Sequence, residues 1–269
     1  MYKRILVPAK APSEVEPLIR FAGNLLEADG EIRLLHVIPT TTLPEVAREW
    51  RRSVNIVVPA HETAASLDLR VEPEVKAATD VPGEILESAE TADVEAILMT
   101  LTGDRRSRNP FVGHTASGIL HHAPCDVLIL NPLALAGDRI PRVLVPTFRP
   151  SASPKAMRLA EELSIRSGGV PVITIELGAR PAGGGSSEPE EETSARGIPM
   201  RHTRAFFSES LLGRRRRLPE ILLQAAQRER FGLLVVSGEE DGAEGTLLTR
   251  RVVEDLFRLA PCPVVALRV

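Results

Sequence analysis

The residues that could do chemistry lie in one glycine-bearing loop in the first half of the sequence. The loop runs from Thr100 past Gly103 to Gly113, and His114 and Thr115 then open a predicted helix. Free backbone N–H groups and the helix dipole both favour an anion at such a position. Glycines at turns and helix starts are also common for backbone reasons alone. The spacing therefore leaves two interpretations open, a phosphate cradle and an ordinary turn.

Two further strand ends are expected beside this loop. In an open parallel sheet the ligand crevice lies beyond the carboxyl ends of the strands, where the strand order reverses. Pro8, Ala9 and Lys10 end the first predicted strand, and Val37 lies near the end of the second. These four residues join the loop residues as candidates for binding a nucleotide or another anion.

No catalytic constellation accompanies these candidates. His61-Glu62 begins like a zinc-protease motif, but its second histidine is missing, since Ala64 and Ala65 occupy that region. The sequence contains no nucleophile elbow, no Walker A sequence, no paired-carboxylate spacing and no cysteine-rich metal cluster. We therefore expect a protein without catalytic residues or a bound metal, and an enzyme is the weaker class.

Charge and cysteine usage argue against several other classes of site. A net charge of −3 is too small to argue for a nucleic-acid partner. The run Arg214 to Arg217 has no interleaved aromatic residues, so a solvated turn is expected there. Cys125 and Cys262 each follow Ala-Pro at the head of an apolar run, which predicts buried thiols.

Neither a bilayer-spanning segment nor an export signal is visible. The longest apolar runs, such as Phe231 to Val236, fall far short of the roughly 20 residues that cross a bilayer. Met1 to Pro8 enters a strand-like run directly, without the apolar region and cleavage site of a signal peptide. We expect a cytoplasmic protein without membrane insertion.

An internal repeat organises the elements that must position the candidate residues. Arg4-Ile-Leu-Val-Pro8 recurs as Arg142-Val-Leu-Val-Pro146, and Ala123-Pro-Cys125 recurs as Ala260-Pro-Cys262 at nearly the same spacing. Two different sequence segments that each recur at nearly the same spacing indicate a duplicated domain. The predicted domains are residues 1–132 and 141–269, and residues 178–199 have the Gly-rich, acidic composition of a flexible loop.

Each half is predicted to alternate strands and helices. Continuous apolar runs are typical of strands that are covered on both faces of a parallel sheet. In the first half these runs are Ile5 to Val7, Ile32 to Ile38, Ala96 to Met99 and Val127 to Leu130. The alternation implies right-handed crossovers and a doubly wound α/β fold.

The first helix is predicted from a capping-box pattern. Ser13 and Glu16 have the spacing of such a box, Pro17 is expected in the first turn, and Gly30 is expected to end the helix. In the second half the equivalent helix is predicted to begin at Ser153-Pro154.

Several short segments of the sequence together resemble a tandem universal stress protein. The resemblance is carried by Ile5-Leu-Val-Pro8, Leu34-Leu-His-Val37, Pro82-Gly-Glu-Ile-Leu86, Ile97-Leu-Met99 and Ala-Pro-Cys before an apolar strand, with matching words in the second half. It implies two tandem doubly wound five-stranded parallel sheets, Rossmann-like and similar to adenine nucleotide alpha hydrolases. It also implies pairing through the last strands, and in one subgroup ATP binding with magnesium through a glycine motif.

That motif transfers imperfectly to the first half. Gly103 and Gly113 match its second and third glycines, but Thr100 replaces the first, and His114 stands where the family has a hydroxyl residue. Lys10 occupies the position of an acidic residue that faces the adenosine. A lysine can meet a phosphate but cannot accept a hydrogen bond from ribose or base. The resemblance thus implies a degenerate site for ATP, another adenine nucleotide or another anion.

The second half departs further from the motif. Arg250 and Arg251 replace the glycine and hydroxyl pair, Ser237 and Glu240 align with the upstream glycines, and Phe148 takes the acidic position. Large side chains at positions of close approach should exclude a triphosphate. We expect no nucleotide in this half.

The predicted function is a non-enzymatic module of the stress response that responds to a ligand or binds a protein. The alternatives are a regulatory or structural partner domain, for example of a transporter, that binds no nucleotide, and a slow ATP hydrolase. The expected partners are the chain's own second domain, a second copy of the chain in a homodimer, and an unknown protein, but no nucleic acid.

Overall fold

The computed structural model describes residues 1–100, 114–130, 142–147, 153–179, 190–207, 232–238, 256, 260 and 264–268. The chain divides into two compact units, Met1–Pro132 and Leu133–Val269. Among the described residues, no helix has the length and apolar character needed to cross a membrane.

The first unit is a five-stranded parallel sheet with strand order β3-β2-β1-β4-β5. The strand order reverses between β1 and β4, so the carboxyl ends of these two strands flank the topological switch point. The strands are β1 (Tyr2–Pro8), β2 (Leu26–Ile38), β3 (Arg70–Ala77), β4 (Ala96–Thr100) and β5 (Asp126–Leu130), and the helices are α1 (Pro12–Gly23), α2 (Leu43–Arg52), α3 (Val54–Ser66), α4 (Val81–Thr91) and α5 (His114–His122).

The core of this unit lies along its central strands. Ile5, Ile97 and Leu128 are fully buried, and every residue of β4 is buried. Covering a strand on both faces requires helices on both sides of the sheet. All four apolar runs that predicted strands lie within β1, β2, β4 and β5, so the doubly wound parallel fold is confirmed.

The second unit repeats this plan with one addition. Its five parallel strands follow the order β11-β10-β6-β7-β9, and β8 pairs antiparallel with β9 at the edge. Helix α6 begins at Pro154, with proline at its favoured first position as predicted. The described elements are β6 (Val143–Thr147), α6 (Pro154–Arg166), β7 (Val172–Ala179), β8 (Glu190–Thr193), β9 (Pro199–Phe207), β10 (Leu233–Gly238) and β11 (Val264–Arg268).

The predicted limits of the first helix are wrong. Helix α1 begins at Pro12 rather than after Ser13, so Pro17 lies in its second turn. The helix ends at Gly23, and Gly30 belongs to β2. The apolar stripe that suggested a longer helix continues into β2 because strand residues are buried there as well.

Part of the predicted flexible loop is also ordered. The segment 178–199 is expected from its composition to lack structure, yet Glu190–Thr193 form strand β8. A cross-strand bond explains the pairing, since His202 Nε2 donates to Glu192 Oε1 at 2.8 Å. The other nitrogen of the same ring, Nδ1, is hydrogen-bonded to the hydroxyl of Thr174 on β7. Tertiary contacts of this kind override the weak strand propensity of glutamate.

Candidate functional site

A cavity of about 160 Å³ opens at the carboxyl ends of β1, β2 and β4, at the topological switch point of the first unit. Most of the described wall is apolar, and four of the described lining side chains are polar. An apolar pocket with a few convergent polar groups is the usual form of a small-molecule site. The cavity is lined by Pro8, Ala9, Lys10, Glu14, Leu35, Val37, Val81, Ile85, Met99, Thr100, Thr115 and Ala116.

The turn after β1 is held in place by its neighbour β2. The Ala9 amide donates to the Leu35 carbonyl at 2.9 Å, and His36 Nδ1 donates to the Ala9 carbonyl at 2.9 Å. Both backbone groups of Ala9 are therefore satisfied, and its side chain is buried at the cavity. His36 is half-buried, and its ring links β2 to this turn.

Glu14 supplies a buried carboxylate to the same cavity, with only 6% of the residue exposed. Its Oε1 accepts a hydrogen bond from Thr100 Oγ1 at 3.0 Å. Its Oε2 accepts the backbone N–H groups of Lys10 and Ala11 at 3.1 and 3.3 Å. Glu14 is the third residue of α1, so it reaches back to the helix start as the acidic member of a capping box does. The carboxylate thus joins β4, the β1 turn and α1.

Three helices begin at the cavity and bring the positive ends of their dipoles to it. The start of α1 is compensated by Glu14, and the start of α4 by Asp80, whose carboxylate accepts from the Gly83 amide at 3.1 Å. Helix α5 has no acidic residue in its first turn. Lys10 at the cavity is exposed, and among the described residues no carboxylate pairs with its ammonium group. Among the described groups at the cavity, Lys10 and the start of α5 are therefore the ones that favour an anion.

Six of the nine candidate residues line the cavity. They are Pro8, Ala9, Lys10, Val37, Thr100 and Thr115. His114 is the first residue of α5, as predicted, but its side chain lies outside what the structure describes. Gly103 and Gly113, the two motif glycines, also lie outside the described residues. The loop that would complete a phosphate cradle stays a prediction.

Sequence reasoning missed Glu14 and the apolar wall. The signal for Glu14 was present, because it follows the helix-starting Pro12 by two residues, but the capping pattern was assigned to Ser13 and Glu16 instead. Glu16 forms an exposed pair with Arg20 at 2.9 Å. The missed apolar residues are Leu35, Val81, Ile85, Met99 and Ala116.

Neither His61 nor Cys125 lines the cavity. His61 is exposed on α3, and Cys125 is a free, half-buried thiol. Within the described part of the chain, no cluster of three or more His, Cys, Asp or Glu side chains could hold a metal ion. Cys262 and Arg214 to Arg217 fall outside the described residues.

Of the positions that align with the motif in the second half, only Ser237 is described, as a half-buried residue of β10. Phe148, Glu240, Arg250 and Arg251 fall outside the described residues.

Comparison with known proteins agrees with the fold described above. The crystal structure of a universal stress protein from Archaeoglobus fulgidus DSM 4304 has a TM-score of 0.67 and 14% identity, with 98% of this chain and 95% of that chain covered. A putative universal stress protein from Pseudomonas aeruginosa UCBPP-PA14 has a TM-score of 0.62 and 11% identity, with 99% and 93% covered. No curated protein matches the chain in sequence.

The sequence model of the universal stress protein family matches residues 1–131. That range contains β1 to β5, α1 to α5 and all the residues that line the cavity. The first domain of this chain, residues 1–131, therefore belongs to the universal stress protein family, and the chain as a whole has the fold of the two solved proteins above.

Proposed function

We propose that the first domain binds an adenine nucleotide or a related phosphate-bearing ligand, and that the protein acts as a ligand-responsive module rather than an enzyme. The observation that carries the proposal is the combination of an apolar wall with two groups that favour an anion. These groups are the exposed Lys10 and the start of α5, which has no acidic residue in its first turn. A ligand with one apolar ring and one anionic end matches this combination.

The size of the cavity sets which part of the ligand it holds. A cavity of about 150 Å³ is known to accept a single aromatic ring, whereas sites for whole cofactors measure about 300 to 1,000 Å³. The 160 Å³ cavity therefore suits the base of a nucleotide, with the sugar and phosphates outside it. Glu14 would repel a phosphate placed inside. The phosphates are expected to lie toward Lys10 and α5.

The lining residues argue against hydrolysis as the main activity. A general base must reach the attacking water with a free acceptor position. Three hydrogen bonds already engage Glu14, which is the only carboxylate among the lining residues that the structure describes. The same engagement leaves the carboxylate poorly placed to ligate magnesium, so any magnesium should arrive bound to the phosphates. The second domain is proposed to bind no nucleotide and to serve in pairing or protein interaction.

Isothermal titration of the full chain with ATP, ADP, AMP and cyclic AMP tests the proposal. Lys10→Ala should weaken ATP binding by about three- to tenfold, the range of one exposed charge contact. Lys3→Ala is the matched control, because Lys3 is an exposed lysine at the other end of β1. Lys3→Ala should leave the affinity unchanged.

A second variant tests whether the cavity holds the base of the nucleotide. Ala116 is buried at the cavity in the first turn of α5, so Ala116→Met should fill the space and abolish binding of all four nucleotides. Absence of heat with every nucleotide would instead favour a partner domain that binds none. Steady phosphate release from ATP and magnesium would favour the slow hydrolase.

A further inference from the structure

Helix α2 presents an apolar face that the domain does not use. None of its ten residues is buried, although helices in globular domains normally bury an apolar stripe. Leu43 is 83% exposed and Trp50, the only tryptophan of the chain, is 52% exposed. Exposed apolar side chains that lie together on one surface mark an interaction site.

The exposed face continues into α3 through Ser53. Ser53 has right-handed helical backbone angles (φ −62°, ψ −20°). Its amide donates to the Glu49 carbonyl and its carbonyl accepts from the Val57 amide, both at 2.9 Å. Val54 and Val58 on α3 are 54% and 45% exposed. The two helices thus continue one another with only a one-residue interruption.

The exposed apolar residues share one side of this helical segment. At 3.6 residues per turn, spacings of four, three, four and four residues keep side chains within an arc of about 80°. Helix α3 buries its opposite side through Ile56, Ala60 and Ala64. The α2–α3 face, defined by the exposed residues on this arc, consists of Leu43, Ala47, Trp50, Val54, Val58, His61 and Ala65.

One flank of the face carries two opposite charges. Arg51 and Glu62 are exposed and project from the same side of the stripe by the helical period. The Arg51 guanidinium contacts only the Ala47 carbonyl, at 3.3 Å, and in the part of the chain that the structure describes neither side chain has an ion-pair partner. By contrast, Glu49 pairs with Arg52 at 2.8 Å.

We propose that the α2–α3 face is an interface between two copies of this chain, packed with their helices antiparallel across a two-fold axis near position 56. In an antiparallel pair, each flank of one helix lies against the equivalent flank of the other helix. This places Val54 against Val58 of the second copy, and Arg51 against Glu62 of the second copy. Each contact occurs twice, as a two-fold interface requires.

The pattern of charge favours a second copy over other occupants. An anionic lipid surface attracts amphipathic helices whose flanks are basic, but Glu62 stands at the edge of this face. A two-fold pair satisfies both charges without any further molecule. It also covers Trp50, a residue type that is enriched where interfaces are most strongly stabilised.

Sedimentation velocity of the full chain over a wide concentration range tests the interface, with the fluorescence of Trp50 as a local reporter. Dimerisation should shift Trp50 emission to the blue and reduce its quenching by acrylamide as the protein concentration rises. Trp50→Ala should weaken dimerisation by at least about tenfold, judged by sedimentation alone. A chain that stays monomeric at all concentrations overturns the proposal.

Exchanging the charges of Arg51 and Glu62 distinguishes this interface from other contacts between two copies. Arg51→Glu should weaken dimerisation by about tenfold, because two rim ion pairs become like-charge pairs. The double variant Arg51→Glu/Glu62→Arg should restore it. Glu90→Arg, at an exposed carboxylate of α4 away from the face, should have no effect. Failure of the double variant to recover, or a blue shift only with anionic phosphatidylserine vesicles, overturns the proposal.

Discussion

Replacing the Glu14 carboxylate by an amide should destabilise the first domain, and a neighbouring glutamate of the same helix provides the control. Glu14 is buried and accepts three hydrogen bonds, from Thr100 and from the amides of Lys10 and Ala11. An amide has one oxygen, so it can serve Thr100 or the two backbone donors, but not all three. If its NH₂ group donates to Thr100 Oγ1, the Thr100 hydroxyl proton is left without its acceptor.

The size of the effect follows from this count. A hydrogen bond to a charged group contributes about 1.5 to 3 kcal/mol, and a buried donor left without a partner costs about 1 to 3 kcal/mol. Glu14→Gln should therefore lower the free energy of unfolding by about 3 kcal/mol. Glu16→Gln should cost less than about 0.5 kcal/mol, since the Glu16 side chain is 61% exposed and pairs with Arg20 in an i,i+4 arrangement.

Urea denaturation followed by Trp50 fluorescence measures the difference. The single tryptophan lies in the first domain, so its signal reports that domain even if the second unfolds separately. A loss of about 3 kcal/mol should move the urea midpoint by between about 1 and 3 M, with little change in slope. Hydrogen exchange at the Lys10 and Ala11 amides should also accelerate in Glu14→Gln.

A double-mutant cycle with Thr100→Val decides whether the buried bond is the cause. When Glu14 is present, Thr100→Val removes a hydrogen bond to a charged group, but in Glu14→Gln it removes only a weaker neutral one. The double variant should then be more stable than the sum of the single losses by about 1 kcal/mol or more. Equal midpoints for Glu14→Gln and Glu16→Gln would refute the reasoning. So would strict additivity in the cycle.

Two further predictions concern Cys125 and Asp80. Burial, and then the charge of Asp126, raise the pKa of Cys125 to about 11, so in a Cys262→Ser background its alkylation by iodoacetamide at pH 8 should be about 20-fold slower than that of a free thiol. The rate should climb with pH until about pH 11, and a rate equal to that of free cysteine at pH 8 would contradict the assignment. Asp80→Ala should cost about 1 kcal/mol in the same urea titration, because the Gly83 amide loses its cap, while Asp80→Asn should retain most of the stability. Equal losses in the two Asp80 variants would contradict a capping role.

The position of the candidate site was predictable because parallel strands end at a common edge. Pro8, Val37 and Thr100 are far apart in the sequence, yet each lies at the end of a strand that an apolar run announces. Strand order at the switch point then brings them to one cavity. Apolar wall residues such as Ile85 and Met99 were not predictable, since a side chain in a core and one at a cavity have the same pattern in sequence.

Local patterns failed where a tertiary contact outweighed them. The Ser13 and Glu16 pair has the spacing of a capping box, but the chain starts α1 at Pro12 and uses Glu14, because that carboxylate also meets Thr100 of β4. Strand β3 escaped prediction because its residues are mostly exposed and include Pro73. A half-exposed edge strand lacks the continuous apolar run that identified the central strands.

Strand β8 has a consequence for how the second unit avoids pairing with other chains. An open sheet edge invites such pairing, and proteins protect it with charges, proline or a covering segment. In the first unit β3 carries its own charges and Pro73, whereas in the second unit β8 pairs with residues 199–202 of β9. The four polar residues of β8 occupy its hydrogen-bonding edge. The acidic insertion should therefore protect that stretch of the edge from foreign strands, and a chain without it should aggregate more readily.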